Sequence, residues 1–286
     1  MNARTLQVFE QVDPNFRDYY QTMMDRELLD LESRKNKASG AYSVGYNVTR
    51  LPFIFMSQTN TAIDVDTLLH EGGHAFHTFE SAHLRFHQKA EAYVPAEFSE
   101  VASMGMELLA APYLTREHGG YYSAEESALA RISHMESIIL FWPYMALVDA
   151  FQHWIYENHE QASDGRRCEQ KWGELWDRFM KGIDYRGFEE SRNIYWHRQG
   201  HILTTPFYYV EYWLAQLGAV QVFGNARKDQ KGAVADYRRS LVLGASEPLP
   251  RLFAAAGAKF AFDPHTLKQA VELLEEVIEE QEAHLA

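Results

Sequence analysis

Apolar residues recur at helical spacing along most of this chain, and this periodicity restricts its possible folds more than any other feature. One region differs: Tyr42, Val44 and Tyr46 alternate with small or polar residues, and a short apolar run then ends at Met56. Alternation with a period of two predicts a β-hairpin. We therefore expect a mainly α-helical fold with a small β-sheet or hairpin near residues 40–57.

Capping and turn residues indicate where the helices begin. Thr205-Pro206 and Asp263-Pro264 each combine an N-cap residue with proline at the first helical position, which is typical of a helix start. Helices are predicted at about 13–36, from Asp64 or Asp66 through His74, at about 96–114, 123–160, 168–181 and 206–222, between Gly232 and Gly244, and from residue 264 onward. No Pro-, Gly- or Ser-rich linker interrupts this pattern, so a single domain is expected over residues 1–286.

Charge and composition argue against several classes of protein. The 286 residues carry a formal net charge of −13, which disfavours binding to nucleic acid or to an anionic membrane surface. Cys168 is the only cysteine of the sequence, so no internal disulfide can form. No apolar segment has the length of a signal peptide or a membrane span. With 46% hydrophobic residues the chain can bury a core, and we expect a globular cytoplasmic protein.

The most specific chemical motif is His70-Glu71-Gly72-Gly73-His74. Residues i and i+4 of a helix lie about 40° apart around its axis, so both imidazoles can point at one metal ion. Glu71 lies about 100° from His70, beside the metal position rather than on it. This arrangement is typical of a zinc hydrolase in which the glutamate is the general base for the attacking water.

A catalytic zinc ion needs three protein ligands and keeps one position open for water. The third ligand is therefore expected downstream, and the next predicted helix offers Glu97, Glu100 and Glu107. Glu100 and Glu107 are seven residues apart and share a helix face, while Glu97 lies three residues before Glu100. Spacing alone leaves the choice among the three open.

Two segments resemble the M3 family of zinc peptidases, in particular its oligoendopeptidase F branch. They are HEGGHAFH, which begins with the metal motif, and PAEFSEVASMGMELL, which lies downstream of it. The family pattern is HExxHxxH followed by a glutamate ligand in a segment like the second. The resemblance implies a helical zincin-type domain that binds one zinc ion through His70, His74 and Glu100.

The resemblance gives weaker roles to neighbouring residues. Glu97 and Glu107 become candidates for orienting His74 or His77 by hydrogen bonds to the far side of the imidazole. His77 is equally consistent with such a role and with core packing. Other histidines are expected to be ordinary surface or core residues: His83, His87, His134, His153 and His159.

Two further blocks resemble segments of the same family. ASGAY and LPFIFMSQ, within residues 38–58, resemble a glycine-containing loop and an edge strand that pair with the substrate backbone, although a plain hairpin is an equal alternative. HILTTPFYYVEY resembles a histidine followed by a tyrosine-rich helix, which implies that these side chains hold the oxyanion and the substrate. The implied residues are His201, Tyr208, Tyr209 and Tyr212. Which tyrosine stabilises the oxyanion stays open.

Together with these residues, the resemblance implies a zinc-dependent endopeptidase that hydrolyses short peptides. Glu71 is expected to take a proton from the attacking water and to pass it to the leaving amine. Two alternatives stay open. One is a zinc carboxypeptidase, and the other is a non-catalytic or incomplete zinc- or peptide-binding fragment that needs a partner chain.

The resemblance also implies a longer protein with a second domain. Members of the family carry an N-terminal helical domain that forms the other wall of a deep channel, and this chain resembles only the C-terminal catalytic part. The expected partners are short peptide substrates, with neither nucleic acid nor membrane. Apolar surface left by a missing wall favours a homo-oligomer, or a partner chain that supplies the N-terminal domain.

Overall fold

The computed structural model describes residues 1–85 and 93–285, and the chain divides into two compact units. The first unit contains Met1–His134 and Leu214–Ala286, and the second contains Met135–Trp213. Both boundaries fall inside long helices. The single domain expected over residues 1–286 stays a prediction.

Helices dominate both units, as the periodicity predicts. The α-helices are Asn2–Val12 (α1), Pro14–Asp25 (α2), Ala62–Glu80 (α3), Ala96–Ala110 (α4), Ala124–Glu157 (α5), His159–Ala162 (α6), Gly165–Phe179 (α7), Glu189–Asn193 (α8), Gly200–Thr204 (α9), Tyr209–Ala226 (α10), Gln230–Val242 (α11), Leu249–Ala255 (α12) and Pro264–Ala283 (α13). Across the described ranges, every helix is too short or too polar to traverse a lipid bilayer.

A small three-stranded sheet in the first unit confirms the predicted β region. Its strands lie in the order β1-β3-β2 and span Leu29–Asp30 (β1), Ala41–Tyr46 (β2) and Leu51–Met56 (β3). β2 and β3 form an antiparallel hairpin with Tyr46 opposite Leu51, and β1 runs parallel to β3. Alternate residues of β3 are buried, and β2 and β3 both pack against α3. The sheet therefore supports the helix that carries the HEGGH motif.

The core of the first unit surrounds α3. The ring of Phe76 on α3 has its centroid 4.7 Å from that of Phe9 on α1 and 4.8 Å from that of Phe16 on α2. All three rings are fully buried. Aromatic pairs at this spacing contribute about 0.5–1.5 kcal/mol each beyond their buried area. The first two helices of the chain therefore help to fix the position of α3.

The start of α3 differs from the prediction, because its N-cap is Thr61 and not Asp64 or Asp66. Asp64 is the third residue of the helix rather than its N-cap. Its carboxylate accepts hydrogen bonds from the backbone N–H groups of Thr59 at 2.9 Å and Thr61 at 3.0 Å. These bonds tie down the segment before the helix, and the negative charge lies at the positive end of the helix dipole. Asp64 therefore stabilises the helix start from inside its first turn.

Other helix ends show where the sequence pattern failed and where it was sufficient. α2 stops at Asp25 rather than near residue 36, because Glu27 has a positive φ of 56° and the chain then enters β1. A non-glycine residue in the left-handed region ends helical geometry. By contrast, α13 begins as predicted, and the Asp263 carboxylate accepts a hydrogen bond from the Thr266 N–H at 2.9 Å.

Aromatic side chains build the second unit. Phe151 on α5 packs edge-on against Trp172 on α7, with ring centroids 5.1 Å apart. Tyr144 lies 6.2 Å from the rings of both Trp172 and Trp176. The two tryptophans are buried, as expected for core residues.

Candidate active site

Three side chains from two helices meet in the first unit. His70 and His74 lie one turn apart on α3, and Glu100 faces them from α4. One ligand atom of each lies within 4.8 Å of the other two, so the three side chains could hold a metal ion. We call His70, His74 and Glu100 the metal group. Glu100 Oε2 is 3.3 Å from Nε2 of His70 and 3.5 Å from Nε2 of His74. Glu100 is therefore the glutamate that the fold brings to both histidines.

The spacing of these atoms fits a zinc ion. Ligands bound at about 2.0–2.1 Å from a tetrahedral zinc ion lie about 3.3–3.4 Å from one another. The measured distances of 3.3 and 3.5 Å from the carboxylate to the two imidazoles agree with that value. Two imidazoles and one carboxylate are also a donor set that catalytic zinc sites use. The His70 side chain keeps 25% of its surface exposed, so solvent reaches the group from that side.

Glu71 follows the first histidine of the motif and is buried. Its Oε2 atom has no hydrogen-bond partner among residues 1–85 and 93–285. Burial raises the pKa of this carboxyl above its usual value, although the nearby His74 and His70 act in the opposite direction. Leaving a buried oxygen unpaired costs about 1–3 kcal/mol or more, so most such atoms have a partner. The unpaired oxygen is suited to accept a proton from a molecule that enters the site.

Gly73 lets α3 and α4 approach each other closely. A Cβ atom at this position would lie 2.3 Å from the backbone oxygen of Ala102 and 2.7 Å from Cα of Ser103. The same oxygen accepts a hydrogen bond from the hydroxyl group of Tyr237 on α11. A side chain at residue 73 would therefore push α4 away from α3, and Glu100 with it.

Two serines of α4 contact atoms of the metal group. The Ser103 hydroxyl donates a hydrogen bond to Glu100 Oε2 at 2.8 Å, and Ser99 Oγ lies 3.4 Å from Nδ1 of His74. Contacts of this kind orient metal ligands. Sequence reasoning gave no role to either serine, although Ser103 follows Glu100 by three residues and therefore shares its helix face.

Glu107 contacts His70, a residue that the resemblance does not suggest as its partner. Its Oε1 atom lies 2.6 Å from Nδ1 of His70. Glu107 and Glu100 are seven residues apart on α4, so both carboxylates reach the same imidazole from one face of the helix. The two carboxylates lie against different ring nitrogens of His70.

His77 is a core residue. Its ring lies edge-on to that of Phe98, with centroids 6.1 Å apart. Neither ring nitrogen has a hydrogen-bond partner within the described part of the chain, so neither Glu97 nor Glu107 binds it. Burial lowers the pKa of His77 to about 3, and the side chain is therefore neutral. Of the other histidines considered from the sequence, His87 lies outside the described residues.

His134 on α5 contacts Glu107, the carboxylate beside His70, although the sequence predicts an ordinary surface or core histidine. Its Nε2 atom lies 3.0 Å from Oε2 of Glu107, so that carboxylate bridges two histidines. Burial alone would raise the pKa of Glu107, but the hydrogen bonds with His134 and His70 lower it to about 2. No spacing pattern relates α5 to the HEGGH helix, and only the fold brings His134 here.

Opposite charges dominate the electrostatics of the metal group. Burial opposes ionisation of His70 and Glu100 alike. The hydrogen bonds and charges of Glu100 and Glu107 nevertheless raise the pKa of His70 well above its usual value. The two histidines of the motif hold the pKa of Glu100 well below its usual value. Glu100 is therefore a carboxylate, the form that a metal ligand requires.

In the second unit, His201 and three tyrosines form one aromatic cluster. The His201 ring stacks on Tyr208 with centroids 5.6 Å apart. It lies at steep angles to the rings of Tyr209 and Tyr212, at 5.5 and 6.0 Å. Tyr208 and Tyr212 are 4.8 Å apart, as their spacing of four residues predicts. The fold thus brings the four side chains of this block together.

The helix of this block begins later than the sequence predicts. α10 starts at Tyr209 rather than at residue 206, because Phe207 has a positive φ of 61°. The Phe207 N–H donates a hydrogen bond to Oε1 of Gln152, which ties the turn to α5 within the second unit. Tyr208 therefore precedes the helix, with its ring beside that of Tyr212.

The three tyrosines differ in how far they are buried. Tyr209 is buried, and burial raises its pKa to about 12 although a hydrogen bond with Gln199 acts in the opposite direction. Gln199 also contacts His201, with its Nε2 atom 3.0 Å from the Nδ1 atom of the imidazole. Tyr208 and Tyr212 are half-buried, so they are better placed than Tyr209 to meet a ligand.

Comparison with known proteins identifies the family. Residues 6–272 match the model of peptidase family M3. The chain therefore belongs to this peptidase family, and the resemblance drawn from the two motif segments is confirmed.

The relatives are oligopeptidases by name. The chain is 26% identical over 271 residues to oligopeptidase PepF of Bacillus subtilis, an alignment that covers 91% of this chain and 38% of the relative. It is 25% identical over 237 residues to an oligoendopeptidase F homolog of Borreliella burgdorferi, covering 80% of this chain and 38% of that protein. The structure of PZ peptidase A with an inhibitor matches with a TM-score of 0.85 and 32% identity, over 98% of this chain and 48% of that one. The chain thus spans less than half the length of each of these relatives.

Proposed function

We propose that this chain is the catalytic part of a zinc-dependent endopeptidase that hydrolyses short peptides. The observation that carries the proposal is the group of His70, His74 and Glu100 with a buried Glu71 oxygen beside it that lacks a hydrogen-bond partner among the described residues. Membership of peptidase family M3 and the names of the relatives support it. The cytoplasm stays the predicted location.

His70, His74 and Glu100 would hold one zinc ion, which when bound supplies a Lewis acid that polarises the scissile carbonyl and makes water more acidic. Glu71 accepts a proton from the attacking water through its unpaired oxygen. The same carboxyl group then delivers that proton to the nitrogen of the leaving amine as the C–N bond breaks. Glu71 is thereby returned to its ionised form in each turnover.

His201 and the tyrosines are proposed to bind the substrate carbonyl. A phenol hydroxyl donates a hydrogen bond to the carbonyl oxygen, and the bond strengthens as negative charge develops there. Tyr208 and Tyr212 are favoured over Tyr209 for this role because they are less buried. The support for this assignment is the family resemblance and the cluster that these side chains form around the imidazole.

A second candidate function is binding of zinc and peptide without cleavage. The chain aligns with 38% of oligopeptidase PepF and 48% of PZ peptidase A, and a site that needs residues outside this alignment would bind without cleaving in this chain alone. Under this alternative, the chain works as part of a heteromer, or as a homo-oligomer that covers its apolar surface.

Replacing Glu71 by glutamine tests the proposed function. The amide keeps the size of the side chain and removes the proton acceptor, so Glu71→Gln should bind one zinc ion per chain. It should cleave an internally quenched peptide, blocked at both ends, at least about 100-fold more slowly than wild type. Glu117→Gln removes the same charge from an exposed position and should cleave like wild type. Equal cleavage by both variants would refute the role of Glu71.

The same assay separates the alternatives. A carboxypeptidase needs a free carboxylate at the end of its substrate, so cleavage of only an unblocked peptide would favour that enzyme class. Wild-type protein that binds zinc but cleaves neither peptide would favour the incomplete fragment. Cleavage restored by adding the N-terminal part of a relative would then support a partner chain.

A further inference from the structure

A chain of two hydrogen bonds leads from the metal group into α5. Nδ1 of His70 lies 2.6 Å from Oε1 of Glu107, and Nε2 of His134 lies 3.0 Å from Oε2 of the same carboxylate. The Glu107 and His134 side chains keep only 15% and 14% of their surface exposed. Each oxygen of Glu107 therefore has its own imidazole partner, in a place that is shielded from water.

This arrangement fixes which nitrogen of His70 faces the metal position. A carboxylate beside Nδ1 favours a proton on that nitrogen, so when the ring is neutral, as a metal ligand must be, its lone pair lies on Nε2. Nε2 is the atom that faces Glu100. The carboxylate can hold the ring only if its own orientation is fixed. The bond from His134 to the second oxygen stops Glu107 from rotating away.

We propose that His134 is a positioning residue for the zinc ligand His70 and acts on it through Glu107. The inference rests on the proposed zinc site and extends it by one residue from a different helix. His134 contributes no atom to the group formed by His70, His74 and Glu100. Its effect on zinc binding is therefore indirect and disappears when the carboxylate between the two histidines is removed.

Zinc affinity measured by competition with a fluorescent chelator tests the proposal. Loss of a residue that orients a metal ligand lowers metal affinity by about 10–100-fold, and we expect a loss of this size for His134→Leu. His134→Gln keeps an N–H donor at a similar reach and should recover most of the affinity. His265→Leu removes an exposed histidine at the start of α13 and should bind zinc like wild type.

A double-mutant cycle with Glu107→Gln separates positioning from general damage. If His134 acts only through Glu107, His134→Leu should change zinc affinity by less than about threefold in the Glu107→Gln background. The nitrogen NMR shifts of His70 give a second readout, because they report which ring nitrogen carries the proton. They should change in His134→Leu and return toward wild type in His134→Gln.

Three results would overturn the proposal, and a fourth would overturn the proposed function as well. Wild-type zinc affinity in a folded His134→Leu variant, or an equal loss of affinity in both backgrounds, would show that His134 does not position His70. If His134→Leu does not fold, His134→Asn is used in its place, because the shorter amide cannot reach Glu107. Equal zinc affinity of His134→Asn and His134→Gln would then overturn the proposal. Wild-type protein that binds no zinc would overturn the proposed function, and this inference with it.

Discussion

Replacing Gly73 by alanine should weaken both the fold and zinc binding. In an ordinary exposed helix the change would be favourable, because alanine is about 1 kcal/mol better than glycine in a helix interior. Here the added Cβ would lie 2.3 Å from the Ala102 oxygen and 2.7 Å from the Ser103 Cα. Both atoms belong to the backbone of α4, and Tyr237 holds the oxygen by a hydrogen bond, so no side-chain rotation can relieve the contact.

The magnitude follows from that distance. Ordinary van der Waals contact begins near 3.4 Å, so α4 must move by about 1 Å. Overpacking costs about 1–3 kcal/mol, and a clash with backbone lies at the upper end. After the gain in helix propensity, we expect a net loss of about 2 kcal/mol, or about 4–8 °C in the unfolding midpoint. The same movement exceeds the tolerance of about 0.2 Å for a metal ligand, so zinc affinity should fall by at least about tenfold through Glu100.

Thermal unfolding and chelator competition measure these two effects. Gly224→Ala is the matched control, because Gly224 also lies inside a helix but its added Cβ would meet a flexible Leu273 methyl group at 3.0 Å. The control should unfold at the wild-type temperature or slightly above it, with unchanged zinc affinity. A Gly73→Ala protein that unfolds at or above the wild-type temperature and binds zinc equally well would refute the close-approach argument.

Three further predictions concern the metal and the tyrosine cluster. Glu100→Ala should reduce bound zinc well below one ion per chain by elemental analysis, while Glu97→Gln should keep one ion per chain. Loss of zinc in Glu97→Gln but not in Glu100→Ala would assign the ligand to Glu97. Adding zinc at 100 times its Kd should stabilise the metal-free protein by about 2.7 kcal/mol in thermal unfolding, and no shift would argue against a specific site. Tyr208→Phe or Tyr212→Phe should lower kcat by about 100-fold with zinc content unchanged, and unaltered kcat in both would remove the tyrosines from the proposed mechanism.

Features set by local spacing were predictable from the sequence. The HEGGH motif places two imidazoles on one helix face wherever that helix forms, and the alternation near residues 40–57 gives the hairpin directly. Glu100 could not be chosen over Glu97 and Glu107 by spacing, because all three lie on one helix. The family resemblance pointed to Glu100, and the fold brings this residue to both imidazoles.

Features set by contacts between distant segments were not predictable. Glu107 proved to contact His70, which the resemblance did not suggest, because that contact depends on how α4 is rotated against α3. His134 reaches Glu107 from another helix, and the sequence carries no spacing signal for it. The left-handed turn at Phe207 overrides the Thr-Pro signal, so α10 starts later than predicted.

The hydrogen bond from Tyr237 to Ala102 also has a consequence for biosynthesis. Its two residues are 135 positions apart in the chain, and the carbonyl that accepts the bond is the one packed against Gly73. At about 5–20 residues per second, a ribosome needs about 7–27 s to synthesise the segment between them. During that interval the two helices that carry His70, His74 and Glu100 are present without the residue that fixes their contact. The metal group should therefore reach its final geometry only late in translation or after release of the chain.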